Sequence, residues 1–259
     1  MLFTPLEQFE VNKLIGIVLR NLSTGKLDIF ILFSNINLFM LIILFIAVFC
    51  YRYMSIYNAY IPNTSFQNFI ELIVGFVEGL VKENVASKNK IFRVFTPYVF
   101  TIFIFILLSN FVGMVPYSFT VTSSLIVTFS IALASFIGIN IVGARIHKFA
   151  FLALFLPPGC PIFISPFIIL IETVSYIARI FSLSIRLFAN MMAGHTLLKI
   201  LAGFAWQMLT TGGIWLIIGV LPIIIISVVS VLELAVAFLQ TYVFTVLICL
   251  YIRDVTELH

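Results

Sequence analysis

The amino-acid sequence predicts an all-α polytopic membrane protein with one upright span, an interfacial amphipathic helix, a two-span hairpin and two long, steeply tilted helices. Of its 259 residues, 63% are hydrophobic and only 9% are charged, whereas roughly a quarter are charged in soluble domains. Uncharged runs of 23, 51 and 33 residues, at 29–51, 94–144 and 200–232, exceed the roughly 20 residues that one membrane-spanning helix needs. A transmembrane β-barrel is excluded because runs such as 41–49 lack strict apolar/polar alternation.

The first half of the predicted fold contains an arm, a span and a surface helix. Residues 1–28 are interpreted as an N-terminal arm, and residues 29–51 as the first span, which Arg52 closes. In residues 65–85, four polar side chains fall within about 60° of one another on a helical projection. They are Gln67, Glu71, Glu78 and Lys82. This separation of polar and apolar faces predicts a helix that lies on the membrane surface.

The longest uncharged run predicts a helical hairpin over residues 96–143. Thr96-Pro97 is the pattern of an N-cap followed by proline at the first helical position. Pro116 and the polar stretch 120–124 then divide the run into two spans, one ending near Val115 and one beginning near Val121.

Residues 165–252 predict two long helices. Ser165-Pro166 is a start signal, and the Thr-Thr-Gly-Gly sequence at 210–213 separates the first helix from a second one at about Ile214 to Ile252. Each is about 40 residues long and spans about 60 Å at 1.5 Å per residue. Because the hydrocarbon core is roughly 30 Å thick, both helices are expected to tilt by about 60° from the membrane normal.

Two departures from straight helices are considered. Pro222 predicts a kink in the last helix. The alternative to a continuous first helix is a re-entrant break near Gly194 or Gly203, although single glycines are tolerated in membrane helices.

The charges that flank the spans predict the orientation. Basic residues collect on one side if the first three spans alternate, and that side is expected to be the matrix or the cytoplasm. They are Arg52, Lys82, Lys88, Lys90, Arg93, Arg145, Lys148 and Arg253.

The formal charge of +4 is dispersed, so no nucleic-acid partner is expected. Cys50, Cys160 and Cys249 lie far apart in apolar surroundings and predict neither a metal site nor a disulfide. No cofactor is implied. The N-terminal residues show neither the basic n-region of a secretory signal nor the Arg/Ser bias of a transit peptide.

Six ionisable residues interrupt the two long apolar helices. A centrally placed charge facing lipid costs about 2.5 to 3.5 kcal/mol, so these side chains must face protein or water. They are Glu172, Arg179, Arg186, His195, Lys199 and Glu233.

The spacing of these residues places them on defined helical faces. Glu172, Arg179 and Arg186 are seven apart and form one polar line, because each step of seven rotates by only about 20°. Asn190 extends that line. His195, with Lys199 one turn beyond it, falls on the opposite face of the same helix, and Glu233 and Gln240 share a face of the last helix.

This set combines fixed and titratable charges. Arginine stays protonated, whereas glutamate and histidine change charge when their surroundings shift their pKa. The combination favours a proton path with an electrostatic barrier. The alternative for Glu172 and Arg179 is that they only neutralise each other and stabilise the fold.

Two motifs resemble a known family. Ser182-Leu-Ser-Ile-Arg-Leu-Phe-Ala-Asn-Met-Met-Ala-Gly-His195 and Leu232-Glu-Leu-Ala-Val-Ala-Phe-Leu-Gln-Thr-Tyr242 strongly resemble subunit a, or subunit 6, of the rotary F-type ATP synthase. The opening Thr4-Pro-Leu-Glu-Gln-Phe-Glu10 and the turn Asn110-Phe-Val-Gly-Met-Val-Pro-Tyr117 are similar to mitochondrial members. The resemblance covers essentially the whole chain.

The resemblance implies a proton-translocating stator with no ATP-forming or ATP-hydrolysing site of its own. Its implied partners are a ring of c subunits, peripheral-stalk and other membrane-sector subunits, and membrane lipid. Arg186 corresponds to the essential arginine between two aqueous half-channels, and Asn190 and Gln240 to polar positions near it. His195 and Glu233 correspond to the half-channel pair on the intermembrane side.

The resemblance also implies where the other half-channel lies and where the protein resides. Glu172 corresponds to a matrix-side channel position, and Arg179 to a second arginine of mitochondrial members. The order of His195 and Glu233 is the reverse of the bacterial type, which favours the mitochondrial inner membrane. Gly113 stands where many bacterial members carry an acidic residue, so the channel role of that turn is left open.

Three other classes fit the sequence less well. A haem-binding oxidoreductase needs axial histidines that face each other, and only His195 lies within a predicted helix. A secondary transporter usually shows internal repeats and broken helices, which this sequence lacks. A structural membrane anchor would leave the two polar faces without a role.

Overall fold

The computed structural model describes residues 7–20, 27–56, 65–85, 91–115, 118–148, 164–212 and 219–256. Six α-helices lie within these ranges: α1 (Asn35–Ile56), α2 (Ser65–Asn84), α3 (Ile91–Gly113), α4 (Leu125–His147), α5 (Ser165–Thr211) and α6 (Val220–Thr256). Five of them are long and apolar enough to cross a membrane, and α2 is the exception. The prediction of a helical, polytopic membrane protein is therefore confirmed.

An antiparallel hairpin precedes the helices and was not predicted. Strands β1 (Lys13–Arg20) and β2 (Leu27–Ser34) pair from Lys13↔Ser34 to Arg20↔Leu27. Helix α1 consequently begins at Asn35 and not at Ile29, the predicted start of the first span. Hydropathy alone misplaced this boundary because β2 and α1 share one uncharged run. The Asn35 side-chain oxygen marks the helix start by accepting a hydrogen bond from the Ile36 N–H at 2.9 Å.

The α3–α4 region also begins at a different residue. Helix α3 starts at Ile91, so the prediction that Thr96 caps this helix is wrong and Pro97 lies inside it. After Gly113, a short 3₁₀ turn at Val121–Ser123 leads into α4. A Cβ at Gly113 would overlap the side chain of Thr120, so this close approach requires glycine.

Helices α5 and α6 are long and unbroken. Helix α5 has 47 residues and begins with proline in its first turn. It continues through Gly194 and Gly203, which excludes the re-entrant alternative. Helix α6 has 37 residues. Pro222 lies in its first turn, where a missing N–H breaks no helical hydrogen bond, so the predicted mid-helix kink is wrong. The predicted start at Ile214 lies outside the described residues, and the steep tilts remain a prediction.

Helix α6 contacts α2, α3, α4 and α5. Fully buried side chains such as Phe103, Leu187 and Phe244 form the core between these helices. Large apolar side chains cover the outside, among them Phe45 at 72% exposure and Ile126 at 82%. Such a surface is compatible with lipid and not with water.

Candidate functional site

The polar residues of α5 and α6 meet where the two helices cross. Asn190 donates a hydrogen bond from Nδ2 to Oε1 of Gln240 at 2.9 Å. Gln240 is buried, and its Nε2 has no hydrogen-bond partner within the described part of the chain. Each residue therefore faces the helix that carries the other.

His195 and Glu233 form a second contact between the same helices. Nδ1 of His195 lies 3.4 Å from Oε1 of Glu233, and the two side chains are 15% and 5% exposed. Both carboxylate oxygens of Glu233 and Nε2 of His195 are buried without a hydrogen-bond partner among the described residues. The 3.4 Å contact between Nδ1 and Oε1 is not a well-aligned hydrogen bond. The pair brings two titratable groups together at a buried helix crossing.

Gly194 leaves room for the Glu233 side chain beside His195. A Cβ at this position would lie 2.6 Å from Oε1 of Glu233 and 2.9 Å from its Cδ. Sequence reasoning treated Gly194 only as a possible helix break. The only sequence signal for its role is its position next to His195.

A third cluster surrounds Arg179. Its guanidinium lies 3.7 Å from the carboxylate of Glu172 and 3.6 Å from that of Asp254, and 5.9 Å above the ring of Tyr251. The three charged side chains are 37% to 49% exposed, so the ion pairs contribute little to stability. Asp254 was missed because it lies at the far end of α6, and only the folding of α6 against α5 brings it to Arg179.

Arg186 takes part in none of these three groups of contacts. Its side chain is exposed on α5, whereas its neighbour Leu187 faces the core. In the described ranges of the chain, no carboxylate lies within 4.0 Å of Arg186. Along the predicted polar line from Glu172 to Asn190, Arg179 is thus paired with carboxylates, whereas Arg186 is on the outer surface.

Asn110 is a buried polar residue whose contacts the sequence did not reveal. Its Nδ2 donates to the Ala237 carbonyl at 3.2 Å and to the Thr241 hydroxyl at 3.3 Å, and its Oδ1 accepts from Thr122 at 3.0 Å. It thereby anchors the α3–α4 turn to Ala237 and Thr241 of α6. The residues that the structure describes contain no group of three His, Cys, Asp or Glu side chains that could hold a metal ion.

These features define a class of protein: a multi-pass helical membrane protein with ionisable groups inside its spans. The family model for the ATP synthase A chain matches residues 30–253, and the chain belongs to this family. "ATP synthase subunit a" of Chondrus crispus is 44% identical over 257 residues, covering 99% of this chain and 97% of the relative. The protein of the same name from Marchantia polymorpha is 42% identical over the full length of both chains. "ATP synthase subunit a-2" of Arabidopsis thaliana is 42% identical over 99% of this chain and 72% of the relative.

Family membership supports the role of a proton-translocating subunit in the membrane sector of an ATP synthase.

Proposed function

We propose that this chain provides two aqueous half-channels to the carboxylates of a rotating ring of c subunits, and that Arg186 separates them. The observation that carries the proposal is the position of Arg186 between two ionisable clusters on one continuous helix. Arg179 precedes it by seven residues and His195 follows it by nine, which is about 10 Å and 13 Å along α5. Protons would enter at one cluster and leave at the other.

His195 and Glu233 are the exchanging groups of the first half-channel. Buried polar atoms are nearly always hydrogen-bonded to protein or to water. Three atoms of this pair have no protein partner among the described residues, so water is the hydrogen-bond partner that the proposal assigns to them. A carboxylate and an imidazole in contact can then pass a proton to and from that water.

Glu172, Arg179 and Asp254 line the second half-channel. Arg179 lies between the two carboxylates, so the cluster carries one net negative charge when all three groups are ionised. Such a cluster attracts protons that leave the ring. Its side chains are more exposed than those of the first pair, and Asp254 follows the basic residue Arg253 near the end of α6. Because basic residues favour the matrix ends of the spans, Arg253 favours the matrix side for this cluster.

Arg186 provides the fixed charge between the half-channels. A guanidinium does not lose its proton under physiological conditions. Exposed on the outer face of α5, it attracts a ring carboxylate in its ionised form and favours release of the arriving proton. It also repels protons that would pass directly from one half-channel to the other. Asn190 follows Arg186 by one turn on α5 and donates a hydrogen bond to the buried Gln240 of α6.

The proposed location is the mitochondrial inner membrane. The order of His195 and Glu233 along the chain carries this assignment. The partners are the c ring, peripheral-stalk and other membrane-sector subunits, and lipid at the apolar outer surface.

Sided chemical access tests the two half-channels. In a background without native cysteines, Glu233→Cys and Glu172→Cys are introduced separately into the assembled complex. Membrane-impermeant thiol reagents are then added to vesicles of either orientation. We expect Cys at position 233 to react from the intermembrane side only and Cys at position 172 from the matrix side only. Phe244→Cys, at a fully buried core position, is the control and should react from neither side. Reaction of both positions from one side would contradict the proposal.

A further inference from the structure

The N-terminal turn places an aromatic ring beside His195. Residues Glu7–Phe9 form a 3₁₀ turn, and the half-buried ring of Phe9 lies 6.5 Å from the His195 ring, centroid to centroid. The planes of the two rings are inclined by 60°. This geometry lies within the range of about 4.5–7 Å at which tilted aromatic pairs attract each other.

Asn35 holds this segment in place. Its side-chain Nδ2 donates to the Glu10 carbonyl at 3.0 Å, and its backbone N–H donates to the Asn12 carbonyl at 3.2 Å. The segment that carries Phe9 is therefore attached to the first residue of α1. Through its ring next to His195, Phe9 connects this attached segment to α5.

No well-aligned hydrogen bond to the described residues orients the imidazole of His195. A functional histidine is usually oriented by a hydrogen bond at the ring nitrogen that is not used in the reaction. Nε2 of His195 has no such partner among the described residues, and its Nδ1 contact with Glu233 is not a well-aligned hydrogen bond. The preceding residue, Gly194, has no side chain that could pack against the ring. Ring packing is therefore the restraint that remains.

We propose that Phe9 is a positioning residue for proton transfer: its ring holds the His195 imidazole with Nδ1 towards Glu233. This proposal rests on the proposed role of the pair in the proton path. Phe9 itself exchanges no proton. Its contribution is to keep the two titratable groups in contact through each transfer.

The test uses the assembled complex in membrane vesicles and measures the initial rate of proton-driven ATP synthesis per complex assembled on native gels. Phe9→Leu keeps an apolar side chain but removes the ring, and should lower the rate about two- to tenfold, the range set by an aromatic pair. Phe9→Met, a second apolar replacement, should show the same loss. Phe9→Tyr retains the ring and should retain the rate.

Phe39→Leu is the matched control. The half-buried Phe39 ring lies 6.3 Å from the Phe119 ring, so this variant removes a similar aromatic pair away from the titratable residues and should keep the rate. Wild-type rates in both Phe9→Leu and Phe9→Met would overturn the proposal, and so would equal losses in Phe9→Leu and Phe39→Leu.

A double-variant cycle with His195→Gln shows whether Phe9 acts through the histidine. In that background, Phe9→Leu should cause no further loss. An equal fractional loss in both backgrounds would overturn the positioning role, even if the pair itself carries protons. An unchanged rate in His195→Gln alone would instead contradict the proposed half-channel, so the two failures are distinguishable.

Discussion

Replacing Gly194 by alanine should disrupt the proton path through a single methyl group. The added Cβ would lie 2.6 Å from Oε1 of Glu233, about 0.8 Å closer than the 3.4 Å at which ordinary contact begins. Because Glu233 is only 5% exposed, its carboxylate has little space to move into. We expect it to move away from His195, which lengthens the 3.4 Å contact between the pair.

The expected effect is a fall of about tenfold or more in proton-driven ATP synthesis, since a displacement of about 1 Å in a reacting group can cost about 10²-fold. Gly203→Ala is the matched control because it lies on the same helix and its added Cβ has no neighbour within 4 Å. Both substitutions gain about 1 kcal/mol of helix propensity, so the difference between them isolates the contact with Glu233.

A second substitution tests the direction of the effect. Glu233→Asp shortens the side chain by one methylene, which makes room for the new methyl group. Because Glu233→Asp also draws the carboxylate away from His195, it lowers the rate by itself, but Gly194→Ala should cause a smaller further loss in the Glu233→Asp background than in the wild type. ATP synthesis is measured in vesicles per assembled complex. Equal rates in Gly194→Ala and Gly203→Ala would refute the reasoning.

Three further predictions concern buried contacts. Glu233→Leu should slow proton flux through the assembled complex. Exchanging His195 with Glu233 should retain more flux than Glu233→Leu, because both titratable groups remain. Equal flux in the two variants would contradict the proton-exchanging roles of these residues. Asn110→Leu leaves the Thr122 hydroxyl without its buried acceptor and should lower the stability of the fold by about 1–3 kcal/mol. The measurement is the midpoint of thermal disassembly, which should fall. An unchanged midpoint would contradict the anchoring role of Asn110. Gly113→Asp should lower the yield of assembled complex because the new side chain overlaps that of Thr120. Normal yield together with normal ATP synthesis would show that the turn accommodates a side chain.

The sequence predicted the spans because lipid imposes a simple requirement on them. Long uncharged runs can only be buried in a membrane or a core, so the five spans could be located from charge and hydropathy. The boundaries depended on local chemistry that hydropathy does not report. Residues Leu27–Ser34 are as apolar as the helix that follows them, yet they pair with Lys13–Arg20 as a strand.

The site was predictable along a helix but not between helices. The spacing of seven residues correctly placed Glu172 and Arg179 close together, 3.7 Å apart in the structure. Asp254 could not be linked to Arg179 in this way, because its position depends on how α6 packs against α5. For His195 and Glu233, residue spacing gave only their helical faces, and the resemblance to a family indicated that they form a pair.

The role of glycine was the least predictable feature. Gly113 and Gly194 have no side chain whose chemistry could signal a function. Their importance becomes evident only when the neighbouring atoms are known. At Gly113 the neighbour also explains the absence of an acidic side chain, since Thr120 occupies the space that such a side chain would need.

The central claim is that the permanent charge of Arg186 separates two half-channels, and its replacement by alanine tests this most directly. ATP synthesis and passive proton conductance are measured in vesicles that contain Arg186→Ala, Arg186→Lys or Arg179→Ala, with assembly checked on native gels. We expect Arg186→Ala to assemble but abolish proton-driven synthesis. Arg186→Lys should be severely impaired because a lysine enclosed between α5 and the ring can deprotonate and lacks the guanidinium fork. Arg179→Ala should be milder, since Arg179 is paired with carboxylates. Substantial ATP synthesis by an assembled Arg186→Ala complex would contradict the account.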